Sequence, residues 1–224
     1  MPTVSTTPGA FSRRSFLLFI LLVPCGLFFI FLIILATQFK EFRAMVSPAP
    51  EVPVFAWSDS SRARLDRVAS DLHAFTQGDA SRFHGDSLRL TDADLNVLMA
   101  SSPATSSQGL RFRADIRDSV LIVRSTQPVE SLQGRFAWLF KAMKHTGFLN
   151  ARLEGRPELA DGQLRFAPDH GFLNGQTVPA STLAKRHGLS PADFLTERGF
   201  YDSLVAVLAE AKIVNGKILL IRKP

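Results

Sequence analysis

Hydrophobic positions divide the chain into one long continuous run and a series of short periodic segments. The run Phe16 to Ala36 carries no charge over 21 residues. Beyond it, Leu65, Val68, Ala69, Leu72 and Phe75 recur at helical spacing, with Gly78 placed as a stop. Ser87 to Leu90 reads as a short strand. Thr91-Asp92-Ala93-Asp94 then has the form of a capping box, so a helix carrying Leu95, Leu98 and Met99 follows. From Leu110 to Thr126 the period becomes two, with a tight turn at Asp118-Ser119. Phe112, Ala114, Ile116, Leu121 and Val123 then share one face of a hairpin. Arg111, Arg113, Asp115, Arg117 and Arg124 share the other.

Two more hairpins are predicted by Asp161-Gly162 and Asn174-Gly175, flanked by Phe148 to Leu159, Gln163 to Phe166, Gly171 to Leu173 and Gln176 to Val178. Helical patterns are expected over Pro179 to His187, over Ser190 to Arg198 and around Leu204 to Leu208. Asn215-Gly216 joins two closing strands, Ala211 to Val214 and Lys217 to Ile221. Strands pair through short local turns and no long βαβ alternation occurs. The expected fold class is α+β: an N-terminal transmembrane helix, then a mainly antiparallel sheet packed with short helices.

Length supports the membrane assignment. At about 1.5 Å per residue, 21 helical residues span roughly 31 Å, against about 30 Å of bilayer hydrocarbon. Pro24 and Gly26 are tolerated in lipid, and a water-soluble helix seldom stays apolar on every face for this length. The run exceeds the apolar core of a secretory signal and lacks a small-residue cleavage site after Ala36, so it reads as an anchor. Arg13 and Arg14 precede it; Lys40 and Arg43 follow it. Ser12-Arg13-Arg14-Ser15-Phe16-Leu17 also has the look of a twin-arginine export signal, which would send the domain to the same side. The short N-terminal tail with its arginine pair places residues 1–15 in the cytoplasm, 16–36 in the plasma (inner) membrane, and the rest on the extracytoplasmic or periplasmic side. Residues 37–57, with Ser47-Pro48-Ala49-Pro50-Glu51-Val52-Pro53, read as a proline-rich spacer, and 58–224 as the extracytoplasmic domain.

Charge and chemistry narrow the function classes. The chain carries +6, of which four cations and Glu41 flank the apolar run; residues 45–224 hold 22 basic against 19 acidic side chains. A balance of +3 without a block of like charge argues against a nucleic-acid partner. Cys25, inside the run, is the sole cysteine, so the domain holds neither a disulfide nor a thiolate metal site. The common signatures of hydrolases, zinc peptidases and phosphate-binding loops are absent, and neither a catalytic residue, a cofactor nor a metal is assigned. His84 with Asp86, and Asp169 with His170, are the close acid–imidazole neighbours. They lack a third ligand and read as surface pairs. The cluster Phe136, Trp138, Leu139, Phe140 and Met143 reads as core, with a lid over a lipid site as the alternative. Arg111, Arg113, Arg117 and Arg124 form a candidate basic surface for anionic lipid or polysaccharide, against the plainer reading of a solvated sheet face.

The run Leu88-Arg89-Leu90-Thr91-Asp92-Ala93-Asp94-Leu95-Asn96-Val97-Leu98 resembles the "L-x-L-T-x-x-E/D-L-N-x-L" run of the YpmS-like single-pass extracytoplasmic proteins of unknown function. Gly175-Gln176-Thr177-Val178-Pro179 is similar to their Gly-x-x-hydrophobic-Pro element. The resemblance implies the same order of anchor, spacer, motif and β-rich domain, and transfers no catalytic residue. The run also has a physical reason: Thr91 caps a helix, Leu95 and Leu98 bury, and Asn96 bonds a neighbouring backbone. Two functions stand against each other at this point. One is a membrane-tethered envelope module that engages another protein; the other is a lipid or amphiphile binder with an apolar groove between sheet and helices.

Overall fold

A computed structural model of the chain describes residues 46–79, 86–102, 109–131, 146–180 and 198–224. The run 16–36, its flanking cations, His84, the Trp138 cluster and the helices expected over 181–197 lie outside the described residues. Among those described, no helix is long and apolar enough to cross a membrane.

The domain is α+β, as the periodicity predicts. Helix α1 (Asp59–Gln77) starts at a capping box between Ser58 and Ser61, and stops where Gly78, at φ 74°, turns its N–H back to Ala74 and Phe75. It buries Val68, Leu72 and Phe75. Strand β1 (Ser87–Leu90) leads into α2 (Asp92–Ser101), opened by Thr91 and Asp94 as the capping box requires. Then come β2 (Arg111–Arg117), β3 (Val120–Pro128), β4 (Phe148–Ala160), β5 (Gln163–Leu173) and β6 (Gln176–Val178). They form one antiparallel meander in chain order. Helix α3 (Arg198–Val207) runs straight into β7 (Leu208–Val214), which pairs with β8 (Lys217–Arg222). β8 takes β1 on its other side, giving a second, three-stranded antiparallel sheet in the order β1-β8-β7.

Three hairpins turn on the dipeptides predicted for them. Asp161-Gly162, Asn174-Gly175 and Asn215-Gly216 each have positive φ at both positions, the type I′ geometry that matches strand twist. The middle of the meander differs from expectation. The segments around 163–166 and 171–173 are one strand, β5, which passes through Pro168 because Asp169 is an extra residue opposite Glu154/Gly155. A bulge is where a sheet accepts proline. Gly155 is needed there, since a Cβ at that position would lie 2.1 Å from the Ala167 carbonyl oxygen.

One core serves both sheets and the helices. Leu88, Leu90, Ile218 and Leu220 from the small sheet meet Phe112, Ala114, Leu121, Val123 and Leu153 from the large one, with Leu72, Phe75 and Leu204 from the helices. The hairpin faces are those read from the alternation, for Phe112, Ala114 and Ile116 pair with Ser125, Val123 and Leu121.

The opposite face of the large sheet is not simply solvated, and the proline-rich stretch is not free over its second half. Ser47 pairs with Phe148 through two backbone hydrogen bonds of 2.9 and 2.8 Å. The Glu51 N–H donates to Asn150 Oδ1, the Val52 N–H to Thr126 Oγ1, and Asn150 Nδ2 to the Ala49 carbonyl. Val52 is 2% exposed. Prolines keep this strap extended, and Thr126 and Asn150, opposite each other on β3 and β4, accept from its Glu51 and Val52 N–H groups while Asn150 also serves the Ala49 carbonyl. Replacing Asn150 with Ala should remove three side-chain bonds at a site 6% exposed, lowering stability in urea unfolding by about 2–4 kcal/mol and exposing residues 46–53 to early proteolysis.

Candidate functional site

The strongest candidate is an apolar cleft between the two sheets, roofed by α1 and α2. Its floor is Ala114, Leu121 and Val123 of the large sheet; Leu90, Ile218 and Leu220 of the small sheet form one wall. Leu95 and Leu98 of α2, both half-buried, and Leu72 of α1 close over it. The volume is about 130 Å³. Ala114, 1% exposed, contributes only a methyl group to the lining, where Phe112 and Ile116, next to it on the same face of β2, carry large side chains. Beyond the Gly155 bulge, the β4–β5 hairpin brings Pro157, Leu164 and Phe166 to the rim.

The helices are held over the cleft by a polar network at its far side. The Asp94 side chain is 4% exposed. Its Oδ2 accepts from the Thr91 N–H (2.9 Å) and hydroxyl (2.7 Å), closing the cap of α2. Its Oδ1 accepts from Arg64 (3.1 Å) and Arg67 (2.8 Å), one turn apart on α1. Asn96, two residues on, donates to the Ala114 carbonyl (2.9 Å) and accepts from the Ala114 N–H (2.7 Å). It thus satisfies the open edge of β2 as an additional strand would. Burial raises the pKa of Asp94, but the Thr91 bonds and the two guanidiniums outweigh it, and the carboxyl lies below its ordinary value.

Among the described residues the lining is almost wholly apolar and carries neither a carboxylate nor an imidazole. Arg165 is the one charged residue among those described on it, and its guanidinium is engaged by Gln163 and Asp161. Among the described residues no group of three His, Cys, Asp or Glu is placed to hold a metal.

The arginines singled out on β2 and β3 sit on the opposite face of the large sheet. Arg111 lies over the Phe148 ring at 5.6 Å, and Arg117 is exposed beside the hairpin turn. Arg113, Arg124 and Arg152 stand side by side across β2, β3 and β4. Sequence reasoning missed Arg152, whose partner Glu154 two residues on was the legible signal. Three like charges abreast would repel. Asp115 bonds Arg124 and lies 3.5 Å from Arg113, Glu154 bonds Arg152, and Glu51 of the strap reaches within 3.6 Å of Arg124. These three form an interleaved ionic array, each beside a carboxylate. Arg13, Arg14, Lys40 and Arg43 are outside the described residues.

The chain matches no family model, no curated protein and no solved structure.

Because the folded-state pKa of Asp94 is depressed, its contribution to stability is present in full above the ordinary carboxylate value and is lost as pH falls below that value through the lower folded-state one. Asp94→Asn keeps the cap geometry but removes the charge. It should cost about 2 kcal/mol at pH 7 and flatten the acid-side loss of stability that urea titrations of the parent should show below about pH 5.

Proposed function

We propose that this chain is a single-pass, membrane-tethered module of the cell envelope that engages a partner protein by taking one of its apolar side chains into the cleft. The tether is the charge-free run 16–36, and the domain lies on the extracytoplasmic side, as the arginine pair at 13–14 implies. The resemblance of Leu88–Leu98 to the YpmS-like proteins belongs to the same reading.

The observation that carries the proposal is the size of the cleft together with its lining. Sites that enclose a whole drug-sized ligand run to roughly 300–1,000 Å³. A 150 Å³ engineered cavity admits benzene. At about 130 Å³ with almost no polar surface, this cleft suits a leucine or phenylalanine side chain, the kind of buried anchor that dominates protein interfaces. It is short of the volume a long acyl chain needs. The second reading, an amphiphile inserting only the end of an alkyl chain, is favoured by the same apolar lining and by tethering beside a bilayer.

A photoreactive benzoylphenylalanine in place of Phe166, at the rim, tests both in intact cells producing the full chain. The expected result is a discrete protein adduct, reduced at least tenfold when Leu98→Trp fills the cleft. An adduct whose added mass is that of a lipid favours the second reading, and adducts indifferent to Leu98→Trp overturn both.

A further inference from the structure

The strap changes character after Pro53. Up to Val52 it is bonded to the sheet, whereas Val54 is 70% and Trp57 40% exposed. Between them the Phe55 ring meets the Trp57 ring edge-on, centroids 5.0 Å apart at 67°. Beside this ledge runs a groove of about 430 Å³ whose walls include Val54, Phe55, Arg64 and Arg113. Scattered exposed hydrophobics are ordinary on a protein surface. Here two large ones fall within four residues of chain, with an aromatic pair and two guanidiniums next to them.

Chain length says what lies nearby. Ten residues lead from Ala36, the end of the apolar run, to Val46. Even fully extended they reach about 33–36 Å. Because residues 47–52 are fixed to the sheet, no further slack is available before Val54. Aromatic side chains with a polar handle concentrate where hydrocarbon gives way to headgroups, and arginines beside them suit anionic headgroups.

We propose that Val54, Phe55 and Trp57 rest in the headgroup layer of the bilayer that holds residues 16–36, as a second point of membrane attachment. The inference rests on the tethered reading given above. Two attachments fix the tilt of the domain, which a single flexible tether does not, and so fix the direction in which the cleft faces.

The test uses the full chain reconstituted in vesicles of phosphatidylethanolamine and phosphatidylglycerol. Trp138→Phe leaves Trp57 as the single tryptophan of two. A headgroup-nitroxide lipid should lower its emission at least twofold, and aqueous iodide should have little effect. Independently, a nitroxide at Val54→Cys in a Cys25→Ser background should be more accessible to oxygen than to a water-soluble nickel chelate. Iodide quenching of Trp57 without nitroxide quenching, or free nickel access at position 54, in chain that stays with the vesicles after a carbonate wash, overturns this inference alone. Removal of the chain by carbonate overturns the tethered reading, and this inference with it.

Discussion

The carboxylate of Asp94 is the point at which the two helices α1 and α2 of this domain are joined. Burying an ionised group is costly unless charge and hydrogen bonds replace water. Here four donors converge on its two oxygens: the Thr91 N–H and hydroxyl, Arg64 and Arg67. The first two make α2 begin where it does; the last two fix α1 to it. Asn96, set two residues further along the same helix, then locks α2 onto the edge of β2 through Ala114. The position of both helices over the large sheet therefore depends on a six-residue stretch, Thr91 to Asn96.

That arrangement explains why the core is open where it is. With α1 and α2 held from their polar side, the space beneath them is set by the side chains that reach into it, and Ala114 is too small to fill its share. The Gly155 bulge lets the far half of the β4–β5 hairpin form the rim of the cleft. On the other face of the same sheet the logic is reversed. There the strap supplies backbone donors and Glu51 to a surface of arginines, threonine and asparagine, and covers it. The large sheet is thus apolar toward the cleft and polar toward the strap, which accounts for β3 burying residues on both faces.

Local signals in the sequence were faithful guides. The capping box at Thr91, the Gly78 stop and the Asp-Gly and Asn-Gly turns each act within a few residues, and each is found where its chemistry places it. The apolar face of the β2–β3 hairpin was legible for the same reason, and so was Asn96 as a backbone partner. What sequence could not supply was long-range. Asn150 meets Ala49 and Glu51 across a hundred residues of chain, so a proline-rich stretch that reads as spacer folds back as a strap. A strand interrupted by Pro168 reads as two until the bulge opposite Gly155 is known. The basic face was read from β2 and β3 alone, without Arg152, Glu154 and Glu51 that complete it. The cleft draws on α1, α2, α3 and six strands, and no single segment announces it.

The most direct measurement is a thermodynamic cycle at Asp94. It combines Asp94→Asn with Arg64→Gln and Arg67→Gln, singly and together, in urea unfolding at pH 7. If this carboxylate holds α1 to α2 as described, the coupling between it and the arginine pair should be about 1–2 kcal/mol, toward the low end for a charged hydrogen bond because both guanidiniums keep some water. A coupling below about 0.3 kcal/mol, as many exposed ion pairs give, would contradict it.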